Sequence, residues 1–455
     1  MQLTKNELMG AIEGKAVGMP ENDFEIGGIS IDSRTIAPNE VFFAIRGERY
    51  DGHDFLSEVR QKGSLFSVIE KDTGGDVVLV KDTRVALSRL ASFYRDKFSP
   101  VTIAITGSNG KTTTKQLTSL VLERGFHVLT SPRSYNNDIG IPLTIFKLRC
   151  DCEVLLLEFG MNHRGEIRHL SEITKPAIGV ITNIAPVHVG NLGSLEEILN
   201  EKLEVASFSH TVILNADDDM LRGIIKDLGR KKKVITFGIE NGDVRAEDIT
   251  LTPDGSTFRV DKTSFSLSLL GKHNVYNALV SIVMGDMLGI DRNETVAALK
   301  KAVPEGGRDR KIRIGDILVI DSTYNSNPVS VVTSLDTLRL LKGRKIAVLG
   351  DMLELGERAA QFHREIGKRL SEYGICALFT YGELAREFTK ETDVPTVSSY
   401  SDISMLASDL KDFVKAGDIL LIKGSRKMKM EKVVEELGVE RPSGIVNTFH
   451  GINKA

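Results

Sequence analysis

The sequence has no tryptophan, and only three of its 455 residues are cysteines. Cys150 and Cys152 form a closely spaced pair, and Cys376 is remote from both. Three cysteines in this arrangement exclude a disulfide framework, and the pair has no second half for a zinc site. We therefore expect the paired cysteines to be small buried hydrophobic residues in a protein of the reducing cytoplasm.

The sequence also lacks a strong excess of charge and a long apolar run. The net charge is −3, with 27% of residues charged, which argues against a general nucleic-acid-binding protein. No apolar run reaches the length of a membrane span, and the first residues lack the apolar region of a signal peptide. We expect no membrane span, a cytoplasmic location, and local sites for any anionic ligand.

The length and the hydrophobic content of 41% predict about three α/β domains with sizeable cores. Residues 1–98 form a small unit of short strands and helices. Residues 99–305 alternate buried strands with helices, which predicts a parallel sheet covered on both faces, with an antiparallel appendage at 244–270. Residues 306–455 alternate again and predict a Rossmann-like domain with ligands at strand ends. Its expected strands are 317–321, 346–350, 377–381 and 419–423.

The segment 101–115 (Val-Thr-Ile-Ala-Ile-Thr-Gly-Ser-Asn-Gly-Lys-Thr-Thr-Thr-Lys) is the clearest functional motif. An apolar strand leads into a turn with Gly107 and Gly110, and a helix begins near Lys111. Such a turn aims backbone N–H groups at phosphate oxygens, while the lysine reaches the β/γ-phosphates and the Thr112 hydroxyl ligates Mg²⁺. Ile105 stands where the usual motif has its first glycine. A glycine turn before an ordinary helix is the alternative, but the order of features favours an ATP site.

Two further side chains follow strands of the same predicted sheet. Glu158 closes the run 154–157 and is a plausible Mg²⁺ ligand, and His188 follows the strand 178–182. A solvated glutamate and a loop histidine satisfied by the backbone are the alternative explanations. Lys202 lies between two glutamates on a predicted helix, a pattern that by itself is typical of a solvated face.

Together these segments resemble the Mur ligases in order and spacing. The resemblance rests on 105–113 (Ile-Thr-Gly-Ser-Asn-Gly-Lys-Thr-Thr), 158–160 (Glu-Phe-Gly), 183–188 (Asn-Ile-Ala-Pro-Val-His), Lys202, 271–277 (Gly-Lys-His-Asn-Val-Tyr-Asn) and 307–308 (Gly-Arg). Segments 136–143, 321–328, 350–356 and 423–426 resemble the members of the family that add D-alanyl-D-alanine to UDP-N-acetylmuramoyl-tripeptide. The short P-loop is that family's own form.

The resemblance implies roles at the ATP site. Gly107, Ser108, Asn109, Gly110, Lys111, Thr112 and Thr113 would hold the phosphates, and Asn274 and Asn277 would contact adenine. Arg308 and Asp321 would contact phosphate and ribose across the cleft. Two Mg²⁺ ions are implied, with Thr112, Glu158, His188 and a carbamylated Lys202 as metal ligands. Carbamylation needs a neutral amine, and hence a lysine whose pKa has been lowered. The implied catalytic residues are Lys111, Glu158, His188, Lys202 and Arg308.

The resemblance also implies the substrates. The domain 1–98 would bind the UDP-linked sugar peptide, and the domain 306–455 would close on ATP and bind the dipeptide. The implied substrate contacts are Ser33, Arg34, Asp51, His53, Asn136, Asn137, Tyr324 and Asn325. The reaction would pass through an acyl phosphate, catalysed by a monomer. The base that deprotonates the incoming amine is not identified: His363 is available, but a structural role for it is as plausible.

Three other functions remain open at this point. A sister ligase that adds the third residue of the precursor would carry an Asp-Asn-Pro-Arg-like motif, which the stretch after Asp321 lacks. A folate polyglutamate ligase would share the ATP centre but not the N-terminal domain. A nucleotide-dependent switch or kinase would release phosphate without dependence on a dipeptide.

Overall fold

The computed structural model of the chain describes residues 1–187 and 189–438. His188 and residues 439–455 therefore lie outside the described residues. The described part contains three large sheets and one small antiparallel sheet. We refer to the large sheets with their helices as the N-terminal, central and C-terminal units, and the small sheet belongs to the central unit.

The N-terminal unit is a five-stranded sheet in the order β1-β5-β4-β3-β2, with three α-helices. β1 pairs antiparallel with β5, and the other neighbours are parallel. Its strands are β1 (Lys15–Val17), β2 (Gly28–Ser30), β3 (Glu40–Phe43), β4 (Phe66–Ile69) and β5 (Val77–Leu79). Its helices are α1 (Lys5–Ile12), α2 (Leu56–Gln61) and α3 (Thr83–Phe98).

The central unit contains a fully parallel sheet of seven strands in the order β12-β11-β10-β9-β6-β8-β7. Its strands are β6 (Val101–Thr106), β7 (Val128–Thr130), β8 (Val154–Glu158), β9 (Ile178–Ile181), β10 (Thr211–Asn215), β11 (Lys233–Gly238) and β12 (Val244–Arg245). The predicted appendage is an antiparallel sheet of β13 (Glu247–Thr252), β14 (Gly255–Val260) and β15 (Thr263–Leu267).

The helices of the central unit cover both faces of its sheet, as predicted. They are α4 (Lys111–Leu122), α5 (Gly140–Ile145), α6 (Glu166–Thr174), α7 (Val189–Leu192), α8 (Leu195–Phe208), α9 (Asp219–Gly229), α10 (Lys272–Leu288) and α11 (Arg292–Lys300). One apolar core runs without a break from the N-terminal unit to one face of the central sheet, from Leu3 and Phe66 through Tyr94 to Leu157. The other face forms a second core with the appendage and α10.

The C-terminal unit is a six-stranded sheet in the order β16-β17-β21-β18-β19-β20. Its strands are β16 (Arg310–Ile314), β17 (Ile317–Ser322), β18 (Lys345–Gly350), β19 (Ile375–Tyr381), β20 (Thr396–Tyr400) and β21 (Ile419–Lys423). Its helices are α12 (Pro328–Arg339), α13 (Ala359–Arg369), α14 (Ile403–Phe413) and α15 (Glu431–Glu436). All neighbours are parallel except β16, which pairs antiparallel with β17.

The predicted α/β fold is confirmed, including the parallel central sheet, the antiparallel appendage and the Rossmann-like C-terminal sheet. The four strands expected in the last unit are present, but the sequence analysis did not predict β16 and β20. The expectation that the paired cysteines are buried is wrong for Cys150, which is exposed, while Cys152 is half-buried. In the described part of the chain, no helix is long and apolar enough to cross a membrane.

Candidate active site

The P-loop connects the central strand β6 to α4, and the loop after β9 holds it in place. Ser108 N donates to Asn183 O (2.9 Å), and Asn109 N donates to Asn183 Oδ1 (2.9 Å). Gly107 has φ 143°, and a Cβ there would collide with Thr182 Oγ1, so the position requires glycine. The first N–H groups of α4 have no partner within the helix and face the cleft, which is the geometry for binding an anion.

Thr112 is the meeting point of the central unit and the linker to the C-terminal unit. Its Oγ1 donates to Glu158 Oε2 (2.8 Å) and accepts from Arg308 Nη2 (2.7 Å). Asn136 Nδ2 donates to the other carboxylate oxygen of Glu158 (3.0 Å). Because β8 lies beside β6 in the sheet, Glu158 lies on the same side as the P-loop.

Glu158 is 4% exposed, and its surroundings keep it ionised. Burial raises the pKa of this carboxyl, but the nearby cations, Lys111 first, outweigh burial and hold the pKa below its usual range. Burial lowers the pKa of Lys111, with a further contribution from Arg308. The Lys111 amine donates to Gly107 O (2.8 Å) and Ser108 O (3.3 Å). The site is thus a compact set of opposite charges around one carboxylate.

Lys202 on α8 is not on a solvated helix face. Its side chain is 2% exposed and lines the same cleft. Burial, followed by the charge of Lys111, lowers the pKa of Lys202 well below its ordinary value. The structure thus places next to the P-loop a buried lysine whose neutral form is favoured relative to that of an exposed lysine.

The two predicted adenine contacts join α10 to α4. Asn277 Nδ2 donates to Asn274 Oδ1 (3.0 Å), and Asn277 Oδ1 accepts from Thr114 Oγ1 (3.1 Å). Both asparagines are buried at the edge of the cleft. Their amides therefore help to position α4 as well as lining the cleft.

The aromatic ring of Tyr324 contacts two guanidinium groups and connects the units at the cleft. The guanidinium group of Arg308 lies over the Tyr324 ring, with its Cζ 4.1 Å from the ring centroid. The Cζ of Arg133 lies 4.6 Å from the same centroid. Arg133 Nη2 donates to Gly306 O, and Ser134 Oγ is 3.3 Å from the Tyr324 hydroxyl. We call Arg133, Tyr324 and Arg308 the arginine–tyrosine stack.

A second link between the units joins the P-loop directly to the C-terminal unit. Asn327 caps the N-terminus of α12, and its Nδ2 donates to Asn109 Oδ1 (2.7 Å). Asp321, at the end of β17, is 4% exposed. It accepts from Thr323 Oγ1 (2.7 Å) and Arg310 Nη2 (3.3 Å). The predicted ribose contact therefore lines the cleft with its carboxylate already held by neighbours.

These residues surround one cleft of about 1850 Å³ between the central and C-terminal units. It brings together most of the residues predicted at the ATP site and four predicted substrate contacts. The predicted residues that line it are Gly107, Ser108, Asn109, Gly110, Lys111, Thr112, Thr113, Glu158, Lys202, Asn274, Asn277, Arg308, Asp321, Asn136, Asn137, Tyr324 and Asn325. His188, a predicted metal ligand, lies outside the described residues.

The predicted contacts in the N-terminal unit lie elsewhere, and their role stays a prediction. In the described part of this unit, Arg49 and Arg84 line the large cleft. Ser33 and Arg34 lie beside a smaller cavity of about 670 Å³, whose lining includes the adjacent residues Asp32 and Thr35.

Asp51 and His53 form a local hydrogen-bonded clip. His53 Nε2 accepts from Glu70 N (3.1 Å), so the ring proton is on Nδ1, 2.5 Å from Asp51 Oδ1. His363 likewise has a structural role: it is fully buried, and its Nε2 accepts from Met352 N (3.0 Å). The imidazole of His363 is not available as the base that the sequence analysis left open.

Three protein-family models match this chain, one in each of its three units. Family models described as Mur ligase family, catalytic domain, Mur ligase middle domain, and Mur ligase, glutamate ligase domain match residues 25–95, 105–285 and 307–426. The UDP-N-acetylmuramoyl-tripeptide–D-alanyl-D-alanine ligase of Synechocystis is 35% identical, over 93% of this chain and 94% of its own length. The Bacillus subtilis protein of the same name is 34% identical, over 92% and 94%.

Solved structures agree with the sequence relatives. A crystal structure of MurF from Acinetobacter baumannii has a TM-score of 0.90 at 30% identity, covering 95% of this chain and 98% of that one. MurF from Thermotoga maritima in complex with ADP has a TM-score of 0.81 at 28% identity, covering 90% and 96%.

Proposed function

The chain belongs to the Mur ligase family, and from this premise we propose that it is the ATP-dependent ligase that joins D-alanyl-D-alanine to UDP-N-acetylmuramoyl-tripeptide in peptidoglycan precursor synthesis. The observation that carries the proposal is the convergence of the P-loop, Glu158 and Arg308 on Thr112. Relatives named for this reaction align with more than nine-tenths of the chain. The proposed domains are 1–98 for the UDP-linked substrate, 99–305 for ATP, and 306–455 for closure and the dipeptide.

The reaction needs a carboxylate to become an electrophile in the presence of water. The tripeptide carboxylate takes the γ-phosphoryl group of ATP, and the amine of the dipeptide then displaces phosphate to form the amide. Lys111, the P-loop N–H groups and Arg308 neutralise the negative groups that meet in the first step. Contacts between the units, including Asn109–Asn327 and the arginine–tyrosine stack, would help to enclose the acyl phosphate and limit its hydrolysis.

The residues around Thr112 fit a magnesium ion. The Thr112 hydroxyl and the ionised Glu158 present hard oxygen atoms 2.8 Å apart, and Mg²⁺ is commonly held by one or two protein oxygens with phosphates and waters. In the described part of the chain, no group of three or more His, Cys, Asp and Glu side chains could hold a metal by itself. When bound, the ion would neutralise phosphate charge. We propose a second ion with His188 as a ligand.

We propose that Lys202 reacts with CO₂ to form a carbamate, which turns a buried amine into an anion that helps to position metal. The support is its burial beside the P-loop and its depressed pKa, since only the neutral amine attacks CO₂. We further propose a monomer of the cytoplasm, where ATP and UDP-linked precursors are present.

The direct test of the function is ADP release with ATP, UDP-N-acetylmuramoyl-tripeptide and a panel of amino acids and dipeptides. We expect release to require both the tripeptide nucleotide and D-alanyl-D-alanine. Release driven by a single diamino acid with the dipeptide nucleotide would identify the sister ligase instead. Phosphate release that is indifferent to the dipeptide would identify a nucleotide-dependent switch and contradict the proposal.

Replacement of the ring in the arginine–tyrosine stack should weaken ATP binding. We expect Tyr324→Leu to raise KM for ATP about tenfold, since each cation–π contact contributes on the order of 1 kcal/mol and the ring orients Arg308. Tyr324→Phe is the matched control, because it keeps the ring and loses only the hydroxyl contact with Ser134. Steady-state kinetics with ATP as the varied substrate measures both. Equal values of KM for the two variants would contradict an orienting role for the ring.

A further inference from the structure

Lys423 is a buried lysine in the cleft that the reaction described above does not use. It ends β21, a central strand of the C-terminal sheet, where the carboxyl ends of parallel strands present binding groups. Its side chain is 4% exposed, and the residue lines the cleft that also contains the P-loop. A lysine in this position needs either an anionic partner or a reason to be neutral.

Lys423 has two hydrogen-bond acceptors in the protein, and the third position on its nitrogen is left for a ligand or, in the neutral form, for a lone pair. Its Nζ lies 3.1 Å from Ser322 Oγ and 3.0 Å from Asn325 O. Because Asn325 is the exposed residue of the otherwise mostly buried loop after β17, this amine is held at the point where that loop meets the cleft.

The direction of the adjacent hydrogen bonds can be deduced from Asp309. Ser334 Oγ donates to Asp309 Oδ1 (2.9 Å), so its only proton is used there. Ser322 Oγ, 3.2 Å from Ser334 Oγ, must therefore donate to Ser334 and can only accept from Lys423. This series of hydrogen bonds fixes Lys423 as a donor to Ser322 and leaves the third position on its nitrogen for a ligand.

The charged groups around Lys423 oppose one another. Burial lowers the pKa of Lys423, Asp309 raises it and Arg308 lowers it, with a net value of about 8. His273, whose Nε2 is 3.5 Å from Asp309 Oδ2, has its own pKa lowered by burial and so adds little positive charge. The α-amino group of a peptide titrates at about 7.7–8.0, so the two amines are closely matched for proton transfer.

We propose that Lys423 accepts a proton from the ammonium group of the incoming dipeptide as its nitrogen attacks the acyl phosphate. The inference rests on the proposed function and assigns the base that the sequence did not identify. The nitrogen lone pair forms the bond to the carboxyl carbon, and the bond from that carbon to the phosphate oxygen breaks with its electron pair leaving on phosphate. Of the two protons lost by the ammonium group, one passes to Lys423 and the other leaves with phosphate. Lys423 returns its proton to water when the products leave.

Lys423→Gln tests the proposal, because the amide keeps two N–H donors for Ser322 and Asn325 but does not accept a proton at neutral pH. We expect kcat with D-alanyl-D-alanine to fall about a hundredfold, the scale of general base catalysis, with KM for ATP unchanged. Lys411→Gln, at an exposed lysine on α14 outside the lining of the cleft, is the matched control and should retain parental kinetics. Lys423→Arg, which is permanently protonated, should show the same defect as Lys423→Gln.

The reaction with hydroxylamine as the nucleophile shows whether Lys423 acts as a base or only supports the structure. This nucleophile is neutral at pH 7, so its reaction with the acyl phosphate needs no base for the first proton. We expect Lys423→Gln to retain ADP release and hydroxamate formation with hydroxylamine, which also shows that the variant is folded. The defect with the dipeptide should shrink above pH 8, where a growing share of the dipeptide is already the free amine.

Two results would overturn the role of Lys423. One is a dipeptide rate in Lys423→Gln within threefold of the parent, and the other is an equal loss of the dipeptide and hydroxylamine reactions. Failure of the proposed function is seen separately, since the parent protein would then show no ADP release that depends on the dipeptide.

Discussion

Lys111→Ala is expected to lower kcat/KM for ATP about a thousandfold, the effect of removing a preorganised charge at a developing transition state. The Lys111 amine is already held at the P-loop by the carbonyl groups of Gly107 and Ser108. It lines the cleft together with the P-loop, and its charge lowers the pKa of Glu158. Coupled measurement of ADP release at saturating tripeptide nucleotide gives the value.

The thermal stability of Lys111→Ala distinguishes a loss of catalysis from misfolding of the variant. Burial lowers the pKa of Lys111 in the folded protein, so the folded state binds fewer protons and the charged lysine opposes folding at neutral pH. Lys111→Ala should therefore not lower the thermal midpoint, and the parent should gain stability relative to the variant as pH rises toward 10.5. Lys226→Ala, at an exposed lysine on α9, should keep parental activity. A folded Lys111→Ala enzyme with a near-parental rate would remove the P-loop assignment.

Lys202→Ala is expected to lower kcat several hundredfold, because the site would lose the proposed carbamate, whose negative charge would help to place metal and phosphate. Short carboxylic acids such as acetate or propionate should restore part of the activity, since they can occupy the space of the carbamate and supply its charge. Lys202→Arg, which cannot form a carbamate, should remain inactive without rescue because its side chain fills that space. Parental activity in Lys202→Ala would return Lys202 to a structural role.

The proposed carbamate can be detected by NMR without measuring turnover. Incubation of the parent with ¹³C-labelled bicarbonate should give a carbamate carbonyl resonance that is absent in Lys202→Ala. Because burial and the charge of Lys111 lower the pKa of Lys202 well below its ordinary value, more of the neutral amine is present at a given pH than for an exposed lysine. Acidification through the folded pKa should protonate the amine, and activity lost in CO₂-depleted buffer at lower pH should return with bicarbonate.

Local sequence was sufficient to predict the centre of the molecule. The P-loop follows its strand and precedes its helix within fifteen residues, so its geometry depends on neighbours in the chain. Glu158 could be placed beside it because parallel strands align their carboxyl ends. The burial of Lys202, by contrast, is opposite to what its two flanking glutamates indicate, and the family resemblance alone singled it out.

Contacts between distant segments could not be predicted. Arg133 reaches Tyr324 across 191 positions and Asn109 reaches Asn327 across 218, and a single sequence carries no signal for such pairs. β16 was missed because this edge strand, Arg-Lys-Ile-Arg-Ile, has no continuous apolar run. Cys150 is exposed because it lies in the turn before β8, a position that composition does not reveal.

The first two units share one continuous apolar core, so they should unfold and move differently from the C-terminal unit. Leu3, Tyr94 and Leu157 belong to one apolar cluster, so the N-terminal and central units should melt together as one cooperative block. The C-terminal unit has apolar clusters largely of its own, and polar side chains join it to the block. We therefore expect any rigid-body motion to move the C-terminal unit relative to the first two units, which share one core.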